Sequence, residues 1–127
     1  MAGESMAKLL IVDDSLTVRL DLNKIFCKAG YQVVEAVDGE DAVEKFKEHP
    51  DVDLIICDYN LPYLNGLDAL AKMYGECGDK KPRALMLTTE SSGELKEKGR
   101  RLGLTGWILK PYREETLLTG VKKILAK

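Results

Sequence analysis

Val52-Asp53-Leu54-Ile55-Ile56-Cys57-Asp58-Tyr59-Asn60-Leu61-Pro62 contains an unbroken apolar run, Leu54 to Cys57, that stops abruptly at a carboxylate. A run this short and this apolar suits a strand buried on both faces. Asp58 then stands at a strand's carboxyl end. In open α/β sheets that edge is where ligands bind, because the loops there converge on one crevice while helices cover both faces. Pro62 and the Asn65-Gly66 pair mark a tight loop that turns the chain into the next helix. A lone Asp in this place is ordinarily a helix cap or a strand end, so its meaning depends on the other strand ends.

Toward the N-terminus, Lys8-Leu9-Leu10-Ile11-Val12 is a second buried run, and it too ends in acid, Asp13-Asp14, followed by Ser15. Ser15 is a good N-cap, and Leu22, Ile25, Phe26 and Ala29 recur at helical spacing until Gly30, which predicts a helix from Ser15 to Ala29. Tyr31 to Ala36 reads as a strand and Val37-Asp38-Gly39 as a turn. Ala42, Val43 and Phe46 give the inward face of a second helix that ends near His49-Pro50, with His49 expected as a solvated helix end.

Beyond Asp58, the residues Leu67, Leu70, Ala71 and Tyr74 place a third helix, closed by Gly75-Glu76-Cys77-Gly78. Arg83 to Leu87 is a fourth strand, ending at the hydroxyl-rich Thr88-Thr89-Glu90-Ser91-Ser92. From Glu94 to Leu102 the pattern is poor, with Leu95 and Leu102 apolar and Gly99 inside, so this helix is expected to be the most mobile. Thr105 to Leu109 is a fifth strand ending at Lys110-Pro111, and Leu117, Val121, Ile124 and Leu125 mark a final amphipathic helix. Five β-α repeats imply an α/β fold with a largely parallel sheet, right-handed crossovers and helices on both faces.

Composition narrows the function. The chain has 127 residues, one domain's worth, and a formal net charge of -2 with 31% charged residues, so no basic excess points to DNA. Cys27, Cys57 and Cys77 show neither CxxC nor Cys/His spacing, so no disulfide framework or zinc site is expected, and a reducing cytoplasmic setting fits. No apolar run approaches the roughly eighteen residues needed to span a bilayer. Residues 1–7, too short and polar for a signal peptide, read as a flexible tail ahead of a domain over residues 8–127.

Parallel strands all point the same way, so Asp13, Asp14, Asp58, Thr88 and Lys110, each following a strand, should gather at one edge. Clustered carboxylates repel one another unless a cation neutralises them, and a hard divalent ion, Mg2+ or Mn2+, suits a site with two or three carboxylates. Lys110 adds a compact positive charge and Thr88 a hydroxyl donor. Acids, a metal, a lysine and a hydroxyl are the equipment of phosphoryl transfer, and a carboxylate can itself be the acceptor.

Together the Asp13-Asp14 pair, Asp58 with Pro62 and Gly66 after it, Thr88 and Lys110-Pro111 resemble the signature of bacterial response-regulator receiver domains, from Lys8 to Lys127. The resemblance implies a flavodoxin-like (βα)5 fold with sheet order 2-1-3-4-5. It implies Asp58 as phosphoacceptor, and Mg2+ held by Asp13, Asp14, Asp58 and the backbone carbonyl of Asn60. Thr88 and Lys110 would each meet a phosphoryl oxygen, and Pro111 would follow a cis peptide bond. The family's switch aromatic falls on Trp107, where most members carry Tyr or Phe. Asn60 and Glu90 flank the expected phosphoryl group and could orient an attacking water, a pair also found in chemotaxis receivers.

The chain ends soon after its fifth helix, which reads as a stand-alone, monomeric receiver that acts by binding. The expected partners are a sensor histidine kinase, a phosphatase and a flagellar motor switch protein, with no DNA and no membrane insertion. The expected catalysis is limited to the protein's own phosphorylation and dephosphorylation. A phosphorelay intermediate serving a histidine phosphotransfer protein and a regulator with a non-motor partner are the alternatives. An unphosphorylated scaffold would need a defective site, and a flavin carrier would not place an acidic pair where the flavin phosphate sits.

Overall fold

The computed structural model describes residues 7–126. Met1 to Met6 of the expected tail lie outside the described residues, whereas the carbonyl of Ala7 already accepts a hydrogen bond from the Gln32 amide at 3.0 Å. The elements alternate as β1 (Lys8–Val12), α1 (Leu16–Lys28), β2 (Gln32–Ala36), α2 (Gly39–Glu48), β3 (Leu54–Cys57), α3 (Gly66–Gly75), β4 (Arg83–Thr88), α4 (Gly93–Leu102), β5 (Gly106–Leu109) and α5 (Glu114–Leu125). All strand pairs are parallel and the order is β2-β1-β3-β4-β5, the flavodoxin-like arrangement.

Side chains alternate across a strand, so each strand feeds two cores. Leu10, Val12, Ile55, Cys57, Ala84 and Met86 meet Ala42 and Phe46 of α2 and Leu67, Leu70 and Met73 of α3 on one face. Leu9, Ile11, Leu54, Ile56, Leu85 and Leu87 meet Leu22, Ile25 and Phe26 of α1 and Leu117 and Val121 of α5 on the other. The central strands are apolar throughout because both their faces are covered. Register then places the site: Val12 lies opposite Cys57, and Thr88 opposite Leu109, so Asp13, Asp58 and Lys110 all begin just past the same edge.

Several boundaries differ from the sequence reading, each for a local reason. Gly39 belongs to α2 rather than to a turn, because the Asp38 side chain caps the helix by accepting the Asp41 amide at 2.7 Å. Thr105 precedes β5 and instead donates both its amide (2.8 Å) and its hydroxyl (3.0 Å) to the Ala84 carbonyl. Ala71 is exposed, and the buried face of α3 is Leu67, Ala69, Leu70, Met73 and Tyr74. His49 is half-buried, its Nδ1 3.4 Å from Lys8 Nζ.

Gly30 closes α1 with φ 96°, the left-handed conformation that glycine adopts without strain. Gly99, which weakened the helical reading of α4, is its only buried residue. A Cβ there would lie 2.3 Å from the terminal Cδ1 of Leu104, so the glycine gives that side chain room to fold back against this thinly anchored helix. No helix among the described residues is long and apolar enough to cross a membrane.

Candidate functional site

Asp13 is held on every side. Its amide donates to the Ala36 carbonyl at 3.2 Å, its Oδ1 accepts from the Ser15 amide at 2.9 Å, and its Oδ2 accepts from Lys110 Nζ at 2.7 Å. Its carbonyl accepts from Arg19 Nη1 at 2.8 Å. Ser15 also caps α1, accepting the Val18 amide, so helix start and acid loop form one unit.

Asp58 is 7% exposed, its amide bonded to the Val12 carbonyl at 2.9 Å. Oδ1 accepts from the Asn60 amide at 3.0 Å and Oδ2 from Lys110 Nζ at 2.9 Å. The start of α3 lies directly on this backbone: a Cβ on Gly66 would sit 2.2 Å from the Asp58 carbonyl oxygen, which only glycine tolerates. Asn65 caps α3 by accepting the Asp68 amide at 2.9 Å. Lys110 reaches both acids from the end of β5, and its own amide donates to the Thr88 carbonyl at 2.9 Å. The Lys110-Pro111 bond is cis.

Asp14 is exposed, yet oxygens of Asp13, Asp14 and Asp58 all lie within 4.8 Å of one another. An all-carboxylate donor set of this compactness fits a hard divalent cation such as Mg2+, and no hydrogen bond described ends on the Asn60 carbonyl, the fourth expected ligand. Burial pushes the carboxyl of Asp13 above its ordinary range, and the nearby Asp58 charge adds to this, although Lys110 and the Ser15 amide pull the other way. For Lys110 the balance is opposite: burial works against its charge, but the bonds to Asp13 and Asp58 outweigh it and hold the ammonium above its usual range. The lysine is thus a firmly charged counter-ion to acids that repel one another.

The loop after β4 forms the other wall. Thr88 is fully buried and its Oγ1 accepts the Glu90 amide at 3.3 Å, while the Glu90 carbonyl accepts the indole N–H of Trp107 at 2.8 Å. One residue's backbone therefore joins the Thr88 hydroxyl to the Trp107 ring. Asn60 Nδ2 donates to Thr89 Oγ1 at 3.4 Å, bridging the loops after β3 and β4.

Asp13, Asp14, Asp58, Asn60, Thr88 and Lys110 come together at one edge, with Glu90, Trp107 and Pro111 directly attached. Other participants escaped the sequence reading. Arg19 Nε bonds Glu35 Oε1 at 3.1 Å, Glu35 Oε2 accepts from Asn23 at 2.8 Å, and the Tyr112 hydroxyl donates to Asp21. A charged residue after the Val33-Val34 pair of β2 was the one available hint, at Glu35.

The model of the response regulator receiver domain matches residues 9–122. The chain is 33% identical to the chemotaxis protein CheY1 of Helicobacter pylori over 93% of this chain and 96% of that protein. It is 32% identical to sporulation initiation phosphotransferase F of Bacillus subtilis, over 93% of each. Among solved structures, the chemotaxis protein CheY4 of Vibrio cholerae superposes with a TM-score of 0.88 at 39% identity, covering 94% of this chain and 98% of that one. With the acid cluster, the lysine and the sheet order arranged as they are, the chain belongs to the response-regulator receiver domains, in their CheY-like form.

Proposed function

We propose that this receiver takes a phosphoryl group from a sensor histidine kinase onto Asp58, with Mg2+ or Mn2+ at the acid cluster, and then binds a flagellar motor switch protein. The observation that carries the reading is Lys110 Nζ, bonded at once to Asp13 Oδ2 and Asp58 Oδ2 at the mouth of a carboxylate trio. A divalent cation there, held by Asp13, Asp14, Asp58 and the Asn60 carbonyl, supplies charge neutralisation for the incoming phosphoryl group.

In the transfer, a carboxylate oxygen of Asp58 attacks phosphorus, the P–N bond to the donor histidine breaks, and the imidazole leaves with its electron pair. Asp58 thereby becomes a dianionic acyl phosphate, one negative charge more than the carboxylate it was, beside Lys110, which exchanges a carboxylate partner for a phosphoryl oxygen. The Thr88 hydroxyl, which now only accepts the Glu90 amide, is free to donate to another. Drawing Thr88 inward moves Glu90, and with it the carbonyl that holds Trp107. The output surface is then α4, β5 and α5, whose first member has little burial to resist displacement. Asn60 and Glu90 would orient the water that ends the signal, so the protein's own catalysis is confined to its phosphoryl group.

The exposed Leu16 and Leu20 of α1, beside the acids, favour a second reading. Such an apolar flank fits a helical phosphotransfer partner, as in a relay, and a curated relative carries the name phosphotransferase. The two readings separate with purified proteins. Motor-switch binding should tighten by about tenfold, a typical coupling, when beryllofluoride and Mg2+ are added. Equal affinity with and without the mimic contradicts the motor reading, and reversible transfer between Asp58 and a histidine phosphotransfer protein establishes the relay.

A further inference from the structure

Three carboxylates gathered for a cation repel one another before it arrives, so something other than the cation must keep them aimed at one point. Asp58 is fixed by β3 and Lys110, and the Asp13 side chain by Ser15 and Lys110. Asp14 is exposed, and its carboxylate has no hydrogen-bond or ion-pair partner among the described residues. Its direction is left to the peptide plane that joins it to Asp13. That plane is held by one side chain, Arg19, whose Nη1 donates to the Asp13 carbonyl at 2.8 Å.

We infer that Arg19 is a positioning residue for the divalent cation: by fixing the Asp13-Asp14 peptide it keeps Asp14 directed at the site, with Glu35 and Asn23 holding the guanidinium in place. The inference rests on Asp13, Asp14 and Asp58 being the cation ligands.

Two features distinguish this arrangement from an ordinary surface ion pair. The Arg19 side chain is only 12% exposed, and its planar fork is used in two directions, Nε to Glu35 and Nη1 to the backbone. It is also electrically balanced. An uncompensated guanidinium next to a cation site would repel the ligand, whereas Glu35 at 3.1 Å cancels that charge and leaves only the geometric restraint. Asn23, one turn along α1 from Arg19, donates to the second Glu35 oxygen at 2.8 Å and stops the carboxylate from turning away.

Calorimetric titration of MgCl2 into the full chain tests this, with thermal melts to confirm that each variant is folded at the titration temperature. Arg19→Met should weaken Mg2+ binding by about tenfold, as loss of a ligand-orienting contact does, and because the Glu35 carboxylate it leaves unbalanced attracts the cation, added KCl should deepen that loss rather than relieve it. Glu35→Gln keeps an acceptor for Arg19 but leaves its charge unbalanced, so its smaller loss should shrink as KCl is raised. If Arg19→Met does not fold, Arg19→Lys, which keeps the charge but not the fork, should still bind Mg2+ more weakly than the wild type. A lowered melting temperature with Mg2+ affinity within about twofold of wild type would mean a purely structural arginine and overturn the inference. Failure of the wild type itself to bind Mg2+, or unchanged binding in Asp14→Asn, would instead overturn the reading of the acids as ligands.

Discussion

Asp13 and Lys110 both lose stabilising power as pH rises, but in different windows, acidic for Asp13 and strongly alkaline for Lys110. Burial raises the Asp13 carboxyl in the folded chain, so the stability it contributes is present below its unfolded value of 3.8 and lost as pH rises through its folded value. At neutral pH its charge therefore costs stability. Asp13→Asn should raise the metal-free melting temperature at pH 7 relative to the wild type, by more than any change it makes at low pH, where the wild-type carboxyl is already neutral. A fall at pH 7 would contradict the account. Lys110 contributes stability that persists at neutral pH and is lost only as pH rises through a folded value above 10.5. Because Lys110 is proposed to neutralise and report rather than attack, Lys110→Ala should still accept phosphate at Asp58 but fail to tighten partner binding, as a binding assay on the labelled variant would read. Normal binding by that variant would remove Lys110 from the signal path. These residues could be found in the sequence because each directly follows an apolar strand. Arg19 could not, since a long side chain's reach leaves no trace in spacing, and Glu35 showed only as a charge within β2.

The loop after β4 and strand β5 make one coupled unit. Trp107, which by resemblance falls at the position of the family's switch aromatic, donates its indole N–H to the Glu90 carbonyl, a bond that a phenyl ring could not make. As the chain's only tryptophan, it is also a local probe. Beryllofluoride with Mg2+ should change its emission beyond the effect of Mg2+ alone, and Thr88→Ala should weaken the extra change. An identical response with and without the mimic would mean that the signal bypasses Trp107. The cap at Ser15 and the Asn65-Gly66 turn into α3 were readable from residue type, whereas the capping role of Asn65 and the role of Gly99 were not. A glycine in a helix reads as a weak point unless one knows that Leu104 returns against it.

The parallel sheet is what turns a scattered set of polar residues into a site. Five apolar runs alternating with amphipathic ones specified the layers, and the shared strand direction brought Asp13, Asp58, Thr88 and Lys110 to one edge from positions as far apart as 97 residues. Strand order came from family resemblance rather than from periodicity, because apolar runs buried on both faces do not record which neighbours they pair with. The whole arrangement is proposed to serve one covalent event. Incubation with a small-molecule phosphodonor and Mg2+, followed by mass-spectrometric localisation of the label, tests it most directly. The account predicts a single phosphoryl group on Asp58, absent in Asp58→Asn and nearly absent in excess chelator. Persistent labelling of Asp58→Asn, or efficient labelling without metal, would contradict it.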